Sequence, residues 1–265
     1  MPKQAPYGYW ESPNSVESDL ASATTPLYPQ RVQGWNFWLE ARPAQKGRQV
    51  IVAQMPDGSK RELLPAEFSA RSQFLEYGGC PYWLADSQLF FINGQDQNLY
   101  SLDYSDPNAA PIQLTACANC RFADLAWDKP RNRLLAVMET QKDGTLSTLS
   151  IVSIDLTELA QTPQILHQGA DFYAYLTLSH CGNFLAFIQW TQGHMPWDAT
   201  ALMVAQLGAM GTFEQLDTWI SEDQDQAITQ PQFGPDGYLY WVSDASNWWN
   251  LYRRQPGTSS AQPIA

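Results

Sequence analysis

Short apolar runs recur along this chain in groups of four, and the second run of each group marks the period. It is anchored at Phe37, Leu89, Leu134, Leu185 and Leu239, which follow one another at intervals of 45 to 54 residues. Third runs fall at Val50 to Ala53, Asn98 to Leu102, Leu149 to Ile154, Ala201 to Ala205 and Asn250 to Tyr252. Fourth runs follow at Arg61 to Leu64, Pro111 to Thr115, Pro163 to Leu166 and Phe213 to Leu216. Runs this short, separated by Gly, Pro, Asn and Asp, predict strands. Four strands per repeat predict an all-β chain, a β-propeller of four-stranded antiparallel blades, because one such sheet cannot bury both faces until its neighbours stack on it. The blades are expected near 31–65, 76–115, 121–167, 172–218 and 228–265, after an extended arm over 1–30. Helix is nearly absent, Leu156 to Ala160 being at most one turn. The fifth repeat stops with the chain, so an incomplete ring is expected, with open blade edges through which the chain self-associates.

Turn chemistry agrees with that count. Asp128 to Asn132, Ser179 to Gly182 and Gly234 to Gly237 each lie between a first and a second strand, where antiparallel strands need a tight reversal. Strand alternation then sorts the loops by face: those after second and fourth strands share one face, and the tight turns lie on the other. Glu76 and Tyr77, then Asp171, Phe172 and Tyr173, belong to loops between blades. The stretch from His194 through Trp197 to Asp198, and Trp248 with Trp249, belong to loops after second strands. All are expected on one face, opposite Asp57, Lys129, Gly182 and Asp236.

The 265 residues suffice for a core without disulfide or metal. A net charge of -12 argues against nucleic acid or an anionic membrane as partner, since phosphate binding is driven by clustered Lys and Arg. The first ten residues, MPKQAPYGYW, hold no signal-like apolar run, and nothing approaches the roughly 20 apolar residues of a spanning helix, so a cytoplasmic protein is expected. Cys117 and Cys120 form a lone CxxC that no second CxxC or His pair completes into a zinc site. No metal and no cofactor is expected.

Five stretches carry more than the repeat: Tyr7 to Pro13, Glu76 to Gly79, Gly169 to Ala174, Met195 to Asp198, and Gln230 to Arg253. In order and spacing they resemble the N-terminal propeller of the prolyl oligopeptidase family of serine peptidases, in its dipeptidyl-aminopeptidase and acylaminoacyl-peptidase-like branch. The resemblance implies a C-terminal α/β-hydrolase domain with a Ser-Asp-His triad, covered by a propeller that admits only short peptides. This sequence departs from the pattern at Leu75 and Cys80, where the family has a polar residue and a third Gly. It also lacks any G-x-S-x-G nucleophile elbow, and His167, His180 and His194 lie in propeller repeats, so no residue is assigned to catalysis. The chain by itself is expected to be inactive.

Two readings of the marked face stand side by side. In one, Glu76, Asp171 or Asp198 pairs with a peptide amine or an Arg, while Tyr77, Phe172, Tyr173, His194, Trp197, Trp248 and Trp249 line a cavity or a domain interface. In the other, the aromatic residues pack the loops and each Asp caps its own loop. Some propellers hydrolyse sugars with paired carboxylates, which would need two carboxyl groups roughly 5 to 9.5 Å apart. The favoured function is a substrate-gating propeller for a peptidase domain; the alternative is a stand-alone scaffold that binds protein or peptide.

Overall fold

The computed structural model describes residues 4–18, 24–142 and 146–264, and it is all-β. Among the described residues, twenty strands form five four-stranded antiparallel sheets, each in simple sequence order, the blades of a β-propeller. The chain divides into two compact units, Met1–Ser69 and Ala70–Ala265. The first holds one blade: β1 (Pro26–Val32), β2 (Trp35–Arg42), β3 (Arg48–Gln54) and β4 (Lys60–Glu62).

The second unit holds four blades. They are β5 (Tyr82–Ala85), β6 (Gln88–Ile92), β7 (Leu99–Asp103) and β8 (Ile112–Gln113); then β9 (Cys120–Asp128), β10 (Arg133–Thr140), β11 (Thr148–Asp155) and β12 (Gln164–Gln168). Next come β13 (Phe172–Leu178), β14 (Phe184–Trp190), β15 (Ala201–Leu207) and β16 (Phe213–Ile220), followed by β17 (Ile228–Phe233), β18 (Leu239–Ser243), β19 (Asn250–Arg254) and β20 (Gln262–Pro263). Within this unit the first strands of successive blades run beside one another, β5 by β9, β9 by β13 and β13 by β17. Residues 156–160 form turns and bends rather than helix.

The structure moves one boundary. β1 begins at Pro26, inside the stretch expected to be an arm. Two prolines hid it: they interrupt the apolar alternation, and Pro29 lies where β1 slips register between Leu27 and Gln30, so its missing N–H costs the ladder nothing.

That slip recurs. β9, β13 and β17 each carry one extra residue against their partner, between Ala126 and Ala123, Ala174 and Thr177, and Thr229 and Gln232. In each of the four bulged first strands the extra pair opens with a left-handed residue that is not glycine: Tyr28 (φ 51), Asp124 (φ 51), Tyr175 (φ 59) and Gln230 (φ 53). β5 pairs without a break. The displaced backbone ties two blades together, since Tyr175 N–H donates to Asp124 Oδ2 at 2.7 Å.

Cores form where one sheet lies on the next. Leu135, Val137 and Ile151 of the third blade pack on Tyr173, Leu185, Phe187 and Met203 of the fourth. At their edge the half-buried His167 ring stacks on Phe213 at 5.5 Å and meets Tyr173 and Phe187 at 5.7 Å. Burial pulls its pKa below the ordinary value, and the nearby Gln189 side chain offsets part of that. Folded chain therefore holds His167 neutral where unfolded chain takes up a proton. The stability this gives is complete above the usual histidine pKa of about 6.5 and falls as pH drops from there toward the depressed value. Urea unfolding at pH 7.5 and 5.5 is expected to show a smaller pH loss in His167→Gln than in the parent chain; equal losses would clear His167 of the effect.

Candidate functional site

The loops of the second unit sort into two ends by their hydrogen bonds. Thr200, closing the loop after β14, donates from N–H to Gln226 O and takes Ile228 N–H on its hydroxyl, which sets that loop at the start of β17. Ile228 pairs with Ser243, so the loop bearing Trp248 and Trp249 leaves from the same end. Arg131 bonds to the carbonyls of Gly182, Gly208 and Ala209, and Lys129 to Asp86, which collects the tight turns at the opposite end. The start of β9 and the end of β10, where Cys120 pairs with Thr140, thus lie at the end that carries the long loops.

At that end the most built feature is the turn Phe74–Glu76. Leu75 (φ 49) and Glu76 (φ 64) are both left-handed, a costly pair for side chains with a Cβ. Neighbouring groups hold it. Ser72 Oγ donates to Phe122 O, Gln73 N–H donates to Gln97, and Leu75 N–H donates to Glu139 Oε2 at 2.8 Å. Gly78 N–H returns to Phe74 O, with φ 88 and room for no side chain, since a Cβ would stand 2.9 Å from Ser72 O.

Arg121 completes the cluster. Its Nη1 donates to Glu76 Oε1 at 2.6 Å and Gln73 O at 3.0 Å and lies 4.0 Å from Glu139 Oε2, while the Gln141 side-chain oxygen accepts from Nη2 at 3.0 Å. Two carboxylates share one guanidinium, leaving one negative charge in excess. Glu139 is 4% exposed and Arg121 14%, but Glu76 is 76% exposed, so the surplus charge faces solvent on Glu76.

The other marked residues divide. Asp171 accepts from Gln192 N–H at 2.8 Å, and Asp198 turns back on its own loop, accepting from Met195 N–H at 3.1 Å. Phe172 stacks on Trp190 at 5.1 Å and is half-buried. Tyr173 does not reach the face: it is 1% exposed in the core, its hydroxyl taking Ala170 N–H, because alternation along β13 turns it inward beside Phe187. His194 lies 3.9 Å from Glu222, which also accepts from Thr191. Tyr77, Trp197, Trp248 and Trp249 are exposed. Among the described residues, no cluster of three His, Cys, Asp or Glu is arranged to hold a metal.

Sequence reasoning missed Arg121, Glu139 and Glu222. Glu139 alone left a signal, a carboxylate inside the apolar run of β10 that demands a partner.

The solved structures supply the context for this face. The chain superposes on a puromycin-hydrolysing peptidase of Mycobacterium tuberculosis with a TM-score of 0.86 at 30% identity, over 98% of this chain and 42% of that one. A puromycin hydrolase gives 0.90 at 27% identity, again over 98% and 42%. The chain matches the propeller portion of prolyl oligopeptidase-type peptidases. A prolyl endopeptidase, at 14% identity and a TM-score of 0.63 over 91% of this chain and 35% of that one, shares the fold. The chain thus spans about two fifths of the length of the puromycin-hydrolysing neighbours. No family model and no curated protein matches it. No helix among the described residues is long and apolar enough to cross a membrane.

Proposed function

We propose that this chain is the substrate-gating propeller of a cytoplasmic serine peptidase, and that its loop-bearing end faces an α/β-hydrolase domain and the peptide to be cleaved. The match to puromycin-hydrolysing peptidases over 98% of the chain carries the reading. Residues 1–265 contain no G-x-S-x-G, so the nucleophile belongs to the hydrolase domain of the intact protein. The propeller restricts entry to short peptides and presents Glu76 to them. An exposed carboxylate in a cluster with one surplus negative charge suits a protonated amine, and Arg121 holds it in place while it waits. Tyr77, Trp197, Trp248 and Trp249 supply apolar surface to the peptide or to the hydrolase domain.

The reading is tested on the chain itself by calorimetric titration with a tripeptide bearing a free N-terminal amine and with its N-acetylated form. The free amine is expected to bind about tenfold or more tightly, as a charge-assisted hydrogen bond contributes about 1.5–3 kcal/mol. Glu76→Gln should erase the difference. Equal affinities for the two peptides in the parent chain would overturn the role of Glu76.

A further inference from the structure

Residues 117–120 join β8 of the second blade to β9 of the third, and their two cysteines are linked, with Cα atoms 5.4 Å apart. On one side Cys117 N–H donates to Asn98 Oδ1 at 3.1 Å, which fastens it to the second blade. On the other, Cys120 opens β9, and Asn119 O accepts from Gln141 N–H at 2.9 Å. The residue after Cys120 is Arg121, and Gln141 also gives its side-chain oxygen to Arg121. The linkage therefore closes the ground on which the Arg121 anchor of the Glu76 turn stands.

Its placement is poor for a purely structural brace. A bridge over two intervening residues closes a short loop and removes little entropy from the unfolded chain, and the blades around it already have a continuous apolar core. The spacing is one at which thiols exchange readily. Cys117 is half-buried at the edge of that core, flanked by exposed Ala116, Ala118 and Asn119, and is the more accessible of the two, Cys120 being 4% exposed. The remaining cysteines stand apart from it. Cys181 lies in a tight turn at the opposite end, and Cys80 donates to Tyr82 O with its pKa pushed up by burial to about 11.

We propose that Cys117–Cys120 is a thiol–disulfide exchange site for a dithiol reductant, and that opening it loosens the Arg121 anchor and the Leu75–Glu76 turn. What the turn is for rests on the reading of Glu76 above; that it loosens does not. In the exchange a thiolate of the reductant attacks Cys117 Sγ, the Sγ–Sγ bond breaks, and Cys120 leaves as thiolate and takes a proton. The second thiol of the reductant then attacks the mixed disulfide and releases Cys117 as thiol. Two electrons and two protons pass to the protein, and the reductant leaves as its own disulfide. Oxidation by a disulfide of the same class reverses each step.

The test uses the whole chain without peptide, equilibrated in reduced and oxidised dithiothreitol over a range of ratios. Thiol titration after denaturation should count two thiols in the oxidised chain, Cys80 and Cys181, and four in the reduced one. Amide hydrogen exchange over residues 72–79 and 119–124 is expected to quicken about tenfold or more on reduction, with β14 and β15 unchanged. The Cys117→Ser, Cys120→Ser double variant should exchange like reduced parent chain and ignore the buffer ratio. Four thiols with unchanged exchange at 72–79 would overturn the proposal, as would a chain that keeps four thiols in oxidised buffer. Because no ligand is present, failure of Glu76 to prefer a free amine leaves these outcomes as they are, and the titration with Glu76→Gln leaves the thiols untouched.

Discussion

Asp128→Ala is expected to lower the stability of the chain by about 3–5 kcal/mol, the range for breaking a buried ion pair by removing one partner. In a melt followed by far-ultraviolet circular dichroism, that is roughly 10 °C. Asp128 is fully buried and serves two guanidinium groups, taking Arg133 Nε on Oδ2 at 2.8 Å and Arg131 Nη1 on Oδ1 at 3.1 Å. Both arginines then reach into the fourth blade, Arg131 to Gly182 O and Gly208 O, Arg133 to Gly211 O at 2.7 Å. Without the carboxylate the two guanidinium groups lose the anion with which both of them pair. Gly211 is part of the same device, since a Cβ there would fall 2.0 Å from Arg133 Nη2. Asp128→Asn, which keeps one acceptor, should lose less than Asp128→Ala. A melt unchanged in the alanine variant would mean that the arginines find their partners elsewhere and that the blades are joined by packing alone.

Phe187→Ala is the second large loss expected, at about 3–5 kcal/mol in urea unfolding. The ring is wholly buried in β14 and touches Tyr173, His167 and Phe213, so its removal opens a cavity between strands that backbone hydrogen bonds on both sides keep from closing. Phe187→Leu, which refills most of that space, should recover more than half of the loss. If the alanine variant unfolds at the parent's urea midpoint, the third and fourth blades do not depend on this aromatic seam.

Blade architecture was legible because the apolar runs are short, evenly spaced and bounded by turn residues: every second strand lies over its sequence anchor, from Phe37 in β2 to Leu239 in β18. Within the second unit the tight turns and the long loops fall at opposite ends, as strand parity requires. What parity does not carry is depth. Tyr173 has the composition of a face residue and the position of a core one, and only the packing of the neighbouring blade decides between them. Nor does it carry long-range pairing. Asp128 to Asn132 reads as an ordinary turn, yet it hides the carboxylate that joins two blades, because Arg131 finds its carbonyls some fifty to eighty residues away. Arg121 and Glu76 are likewise 45 residues apart, with no local pattern to announce the pair.

The bulges in the first strands bear on how such a repeat can change length. Along an ordinary strand, adding or removing one residue turns every later side chain from the core to the solvent. A bulge is the exception, because two residues there already stand opposite one, and a single deletion restores the regular ladder with both flanks still facing the way they did. β5, the first strand of the second blade, pairs over its four residues without a bulge. Loss of one residue at Asp124, Tyr175 or Gln230 is therefore a silent edit for the blade that carries it. For the neighbouring blade it is not silent at Asp124, since the carboxylate that receives Tyr175 N–H goes with it.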